Sequence, residues 1–215
     1  MEFMSFDLLA PHYRWMEVVL AGEKLQRCRT AFLDEAEAAR NVLILGEGNG
    51  RFLAECRRRL AKARITCVDQ SARMLSLARK RVARLGLSPE QVSFVHADAL
   101  EWSPPENAFD LVVTHFFLDC FRSEQVEEII RKLSRAATRQ SSWLIADFQL
   151  PASGWRQCRA RLILCMMYLF FRAVTALPAR RLTRPDDFLR AHGFILCERK
   201  SSEWGLLHSD RWTRM

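Results

Sequence analysis

The sequence is short of punctuation. Its eight glycines and seven prolines form no Ser/Gly-rich, Pro-rich or repetitive tract, which leaves no candidate for a flexible linker or a disordered arm. There is no C-x-x-C pair and no Cys/His cluster with zinc spacing. The seven cysteines (Cys28, Cys56, Cys67, Cys120, Cys158, Cys165 and Cys197) are odd in number and scattered, so they read as reduced thiols and no metal is expected. The opening MEFMSFDLLAPHYRW lacks a basic segment followed by a continuous apolar one, so no secretory signal is expected and the expected location is cytoplasmic. The longest apolar run is 16 residues from Leu162 to Leu177, interrupted by Arg172. It falls short of the ~20 residues that cross a bilayer.

What is present fits one α/β domain with elaborations. A chain of 215 residues, 49% hydrophobic and 27% charged, can bury a substantial core. The net charge of +8 invites a nucleic-acid reading, but the basic residues are spread over 57–64, 79–84, 156–161 and 180–184, where helical spacing makes them solvated faces. Nucleic acid is not the expected partner.

Apolar runs of strand length alternate with helical patterns, as parallel strands joined by crossover helices require. The strands are expected at 41–46, 64–69, 92–97, 109–115 and 142–148, and the helices between them at 50–62, 71–85 and 122–138. Gly86 stands at a C-cap position, with Pro89 beyond. Helices at 5–20 and 22–38 precede the first strand. After the fifth, an apolar helical stretch is expected at 154–177, then a short helix between Pro185 and Gly193, then a closing hairpin.

NVLILGEGNGRFL, from Asn41 to Leu53, places Gly46, Gly48 and Gly50 between a strand and a helix. Such a turn lets ligand atoms approach the main chain, and the helix start favours negative charge. The spacing is G-x-G-x-G, with Arg51 where a dinucleotide fingerprint has its third glycine, and the G-K-[ST] ending of a phosphate loop is absent. Asp69 ends the second strand beside this loop, where a carboxylate can accept both hydroxyls of a ribose; Ser71 is the better helix cap. Asp98 follows the third strand, where a carboxylate and nearby N–H groups suit an adenine edge. Met74 offers that ring a soft surface, although packing in the core is its commoner role.

VLILGEGNGRF, ITCVDQSARML, VSFVHADAL, FDLVVTHFFLDCF and WLIADF together resemble a class I S-adenosylmethionine-dependent methyltransferase over about residues 40–150, and the opening SFDLLAPHYRW is similar to the ubiquinone/menaquinone branch. The resemblance implies a Rossmann-like, doubly wound seven-stranded sheet of order 3-2-1-4-5-7-6 with the seventh strand antiparallel. It divides a single domain into an N-terminal helical cap (1–39), a cofactor core (40–150), a helical lid (151–192) and a hairpin (193–215). It implies S-adenosylmethionine as cofactor, leaving as S-adenosylhomocysteine, held by Gly46, Glu47, Gly48, Gly50, Asp69, Gln70, Met74, Asp98, Ala99 and His115. The entry segment would bring Tyr13 near the sulfonium; a tyrosine on a helix surface is the alternative. Ile44 departs from the family, which often has an acid there to orient the cofactor's amino group, and Glu47 is the expected substitute.

Methyl transfer needs positioning and water exclusion, and a base only where the acceptor must lose a proton. His115 is a candidate base, with a packed histidine lining the cofactor as the preferred reading. Asp119 either orients an acceptor or caps the next helix, where Ser123 is nearer the start. No NPPY-like tetrapeptide follows the fourth strand, so the resemblance to the amide and adenine N-methylating branches is absent; the apolar stretch after the fifth strand, placed beside the acceptor pocket of the family, leads to an apolar or amphipathic small acceptor as the expectation. The stretch 154–181 is a core helix, a lid, or an interfacial helix meeting lipid headgroups through its arginines. Two other functions stay open at this point: a nucleotide-binding protein using a nicotinamide cofactor, and a catalytically weak methyltransferase-like module that binds RNA or protein.

Overall fold

A computed structural model describes residues 22–87, 89–175 and 182–214. Seven strands form one sheet: β1 (Asn41–Leu45), β2 (Arg64–Asp69), β3 (Val92–His96), β4 (Phe109–His115), β5 (Ala137–Phe148), β6 (Phe194–Ser202) and β7 (Leu207–Arg214), in the order β3-β2-β1-β4-β5-β7-β6. The first five pair in parallel, and β7 is antiparallel to both β5 and β6. The helices are α1 (Gly22–Thr30), α2 (Arg51–Arg59), α3 (Ala72–Arg84), α4 (Ser123–Ala136), α5 (Gly154–Thr175) and α6 (Asp186–Ala191). The expected helix at 5–20 and the site residue Tyr13 lie outside the described residues.

Alternation along β1 divides the core. Val42 and Ile44 pack with Phe52, Leu53 and Cys56 of α2 and Leu75, Ala78 and Val82 of α3. Leu43 and Leu45 pack on the other face with Val126, Ile129, Ile130 and Leu133 of α4 and Leu189 of α6. Ile44 is 1% exposed inside the first of these clusters. Burying such a side chain stabilises by roughly 1.5–3 kcal/mol, whereas an unpaired carboxylate there would be expensive. A third cluster caps the carboxyl edge, where Ala160, Leu164, Met167 and Tyr168 of α5 meet Cys28 of α1, Ala146 of β5 and Leu206 and Leu207 before and in β7.

Two expectations need correction. The helix expected over 22–38 stops at Thr30 and resumes as a single 3-10 turn at Asp34–Ala36. The Thr30 hydroxyl donates to the Gln26 carbonyl, and the turn lets adjacent Phe32 and Leu33 both enter the core. The basic run after the glycine loop is not wholly a solvated face either. Arg57 is buried, and its Nη1 donates to the carbonyls of Leu60, Ala61 and Ala63, closing the end of α2. Gly86, in contrast, ends α3 as expected: its φ is 65°, and the Leu87 N–H returns to the Val82 carbonyl.

Gly50 fixes how α2 and α3 meet. A Cβ there would lie 2.6 Å from the Ala78 Cα, and φ is already +84°. Left-handed strain and overpacking against backbone together put the expected cost of Gly50→Ala on the order of 3 kcal/mol, read as a lower denaturation midpoint.

Candidate active site

The carboxyl ends of β1, β2 and β3 are stitched together by acids. The loop after β1 turns on Gly46, Gly48 and Gly50, all at positive φ. Gly46 is closed over by Phe117, whose Cδ2 would be 2.4 Å from an added Cβ, whereas a Cβ on Gly48 would meet nothing within 4 Å. The one open glycine is therefore flanked by two that are packed. Asp69 Oδ2 accepts the Gly48 N–H at 3.0 Å, and Oδ1 accepts the Ser71 N–H at 2.9 Å. Ser71 is the N-cap of α3, accepting from the Met74 N–H as expected. Asp69 nonetheless already carries two main-chain bonds.

Gln70 links the second and third strand ends. Its Nε2 donates to Asp98 Oδ2 at 3.2 Å, and Asp98 Oδ1 accepts the Leu100 N–H at 2.8 Å. His96 Nε2 lies 2.9 Å from the Gln70 carbonyl. Ala99 packs against the α4-side core, and the Met74 side chain is buried.

Glu47 faces the start of α2. Gly50, the N-cap, has no side chain to offer, and Glu47 Oε1 accepts the Leu53 N–H at 3.0 Å, with the Phe52 N–H also directed at the carboxyl. Burial pushes its pKa up to about 7, and Asp69 adds to the rise. The two N–H bonds and Arg29 oppose it. Part of the carboxyl is thus committed to holding the helix.

Beyond β4 the chain turns through Phe116, at φ 51°, and Phe117 folds back onto Gly46. His115 is buried, and its ring meets Phe52 edge-on at 4.5 Å. Nδ1 has no partner among the described residues. Burial, with the Arg29 charge adding to it, holds the imidazole neutral. Asp119 is buried beside Asp147, the penultimate residue of β5, and the Asp119 N–H is directed at the Asp147 carboxyl. Burial raises both: Asp119 to about 6, and Asp147 further because Asp119 and Asp210 repel its charge. The Tyr168 hydroxyl donates to the Asp119 carbonyl at 3.4 Å, bringing α5 onto this edge. Neither Asp119 nor Ser123 caps α4. The Gln125 side chain accepts the Arg122 N–H at its start instead.

These residues fit the expected cofactor on two counts: an open main-chain face at Gly48 whose N–H is held by Asp69, with the Gln70–Asp98 pair at the neighbouring strand ends, and a buried histidine nitrogen at the end of β4 with no partner among the described residues. No group of His, Cys, Asp or Glu suited to a metal ion occurs among the described residues. Sequence reasoning missed Arg29 and Asp147. Asp147 obeys the rule that singled out Asp69 and Asp98, an acid at the carboxyl end of a strand, whereas nothing local marks Arg29.

Residues 42–140 match a family model described as a methyltransferase domain. The chain is 28% identical over 151 residues to demethylmenaquinone methyltransferase of Thermus thermophilus, covering 69% of this chain and 66% of that protein. It is 31% identical over 148 residues to phosphatidylethanolamine N-methyltransferase of Cereibacter sphaeroides, covering 67% and 70%. The chain thus spans just under two thirds of the Thermus relative's length. Among solved structures, Burkholderia thailandensis 1,6-didemethyltoxoflavin-N1-methyltransferase, with its substrate and S-adenosylhomocysteine bound, superposes with a TM-score of 0.65 at 18% identity, covering 97% of this chain and 88% of that one.

Gly48→Ala separates ligand space from packing. Its Cβ enters open space, so Gly48→Ala carries left-handed strain at φ +68° but none of the overpacking of Gly50→Ala, and the melting temperature is expected to fall less. Calorimetry should show S-adenosylhomocysteine affinity falling at least about tenfold, the equivalent of 1.4 kcal/mol.

Proposed function

This chain belongs to the class I S-adenosylmethionine-dependent methyltransferases, and on that footing we propose that it methylates a small, apolar or amphipathic acceptor by direct in-line transfer. The observation that carries the reading is the row of strand ends on which open Gly48, Asp69 and the Gln70–Asp98 pair adjoin one another. S-adenosylmethionine supplies an activated methyl group on a sulfonium. The chain's share is to bind, orient and exclude water.

In this reading the main chain at Gly46, Gly48 and Gly50 takes the methionine portion, Asp69 the ribose hydroxyls, and Gln70, Asp98 and Ala99 the adenine edge, with Met74 beneath. Glu47 holds the cofactor's ammonium through the carboxyl oxygen that α2 does not use. His115, kept neutral, lines the cofactor, and Asp119 orients the acceptor at the β4–β5 edge.

The acceptor class follows from α5 and from the relatives named for demethylmenaquinone and phosphatidylethanolamine. While Ala160, Leu164, Met167 and Tyr168 cover the site edge, Trp155, Leu162, Met166 and Leu169 lie 60–63% exposed on another side of the same helix. Trp155 pairs with Trp204 at 5.7 Å, and the Arg156 guanidinium lies within 6 Å of both rings. Arg159 and Arg161 flank the stripe. No described helix is long and apolar enough to cross a membrane. A helix with one apolar side on the protein, another outward, and arginines beside it suits the headgroup layer of an anionic bilayer, with 154–181 as the contact. An acceptor drawn from that layer would enter beside α5.

Two measurements test this. Glu47 is about half protonated at pH 7 in the free chain. A cation placed on it lowers its pKa, so binding S-adenosylhomocysteine at pH 7 should release up to about half a proton, seen as a buffer-dependent binding enthalpy and absent in Glu47→Gln. Labelled S-adenosylmethionine should methylate a reduced quinone, a phenol or an aminophospholipid presented in anionic vesicles, and vesicle binding should fall in Leu162→Glu. A chain that binds the cofactor and methylates none of these acceptors would overturn the acceptor class.

A further inference from the structure

Strand register assembles a second polar cluster that the cofactor does not account for. In the antiparallel pairing of β5 with β7, Asp147 stands opposite His208 and Ile145 opposite Asp210. In the pairing of β7 with β6, Asp210 stands opposite Arg199. Positions two apart along a strand share a face, so Asp147, His208, Asp210 and Arg199 project to the same side of the sheet. A cavity of about 240 Å³ opens there, lined by Asp147, Phe148, Leu182, Arg184, Arg199 and His208 among others.

Within it the tautomer of His208 is determined. Asp210, fully buried, receives Arg199 Nε on Oδ1 at 2.7 Å and Arg199 Nη2 on Oδ2 at 2.5 Å, with Trp212 Nε1 at 3.3 Å from Oδ2. Burial alone would raise the Asp210 pKa, but the Arg199 and His208 bonds outweigh it, and the carboxyl stays ionised. An ionised carboxylate only accepts, so His208 Nδ1, 2.9 Å from Asp210 Oδ1, carries the ring's proton in the neutral form. Nε2 is then a lone-pair nitrogen on a side chain that lines the cavity. An oriented imidazole backed by a carboxylate is the arrangement by which a protein takes a proton.

Resting on the methyltransferase reading, we infer that this cavity binds the acceptor and that His208, oriented by Asp210, takes the proton of an acidic hydroxyl, of phenol or enol type. The O–H bond breaks, the proton moves to Nε2, and the electron pair stays on oxygen, ready to displace the methyl group from sulfur. The surroundings suit that ion pair. The charges facing His208 are Asp210 on its own strand, Arg199 on β6, Arg184 just before α6, Asp186 at the start of α6, and Asp147 on β5. Cys28 of α1 donates its thiol to the His208 carbonyl. Arg199 and Arg184 pair with Asp210 and Asp186, so these ions balance before the transfer, and imidazolium and phenolate balance each other after it. Burial and the Asp119 charge push the Asp147 carboxyl well above the usual carboxylate range, which favours a donor over a second negative charge beside the new anion. In the strand order Asp147 is two strands from β1 and His208 three, about 10 and 14 Å across the sheet at ~4.8 Å per strand, so the cavity lies along the same carboxyl edge as the glycine loop with β4 and β5 between them.

The probe is 4-nitrophenol, whose deprotonated form is yellow, titrated at pH 6 into the full chain saturated with S-adenosylhomocysteine. Saturable growth of the phenolate band is expected. It should fall at least about fivefold in His208→Gln, as removal of the proton acceptor requires, and be lost in Leu182→Trp, which fills the cavity. S-adenosylhomocysteine affinity, measured on the same samples, should stay within about twofold in both variants, because neither residue belongs to the cofactor row. Binding without the phenolate band, an unchanged band in His208→Gln, or no binding of the probe would overturn the inference while leaving the cofactor reading intact. Loss of S-adenosylhomocysteine binding by the unaltered chain would instead overturn the reading beneath it.

Discussion

The close packing against the glycine backbone in the loop after β1 is the constraint on which the rest depends. Gly46 lies under Phe117, which arrives from the far side of β4, and Gly50 lies against the Ala78 backbone of α3. A side chain at Gly46 would displace the Phe117 ring, and one at Gly50 would push the start of α2 off α3. Because both are filled, Gly48 alone faces outward, and the Asp69 carboxylate can cross from β2 to hold its N–H. Packing thus decides which glycine meets a ligand.

Burial at that edge sets the charge states. Glu47, Asp119 and Asp147 all have raised pKa values because desolvation outweighs the hydrogen bonds they accept, while His115 is pushed the opposite way by the same cause. Asp210, equally deep, stays ionised because Arg199 and His208 supply donors at short range. The edge therefore carries carboxyls shifted towards the neutral form near the glycine loop and β4, and one ordered ionic network further along. α5 packs by one apolar side on Ala146 and Leu207 at this edge and offers a second apolar side outward.

Much of this was legible along the chain. Strand-length apolar runs, the glycine spacing and the acids at 69 and 98 carry local signals, since each depends on neighbours within a turn or a strand. The C-cap at Gly86 and the N-cap at Ser71 are legible for the same reason. The break after Thr30 was not, because the helical pattern continues and only the demand to bury both Phe32 and Leu33 interrupts it. Nor was the use of Gln125 in place of Asp119 or Ser123 at the start of α4.

By itself the sequence determined the fold class, the order of its elements and the glycine turn after β1, because hydrophobic period and glycine placement are properties of contiguous residues. Tertiary structure alone decided the partners. Glu47 became the cap of the helix that follows it, Arg57 a closure for three carbonyls, and Asp147 the neighbour of Asp119. His208, Asp210 and Arg199 became one network only through the antiparallel register of β7 between β5 and β6. A shift of β7 by one residue would turn His208 and Asp210 away from Asp147 and Arg199, and nothing in the residues between them records which register the sheet adopts.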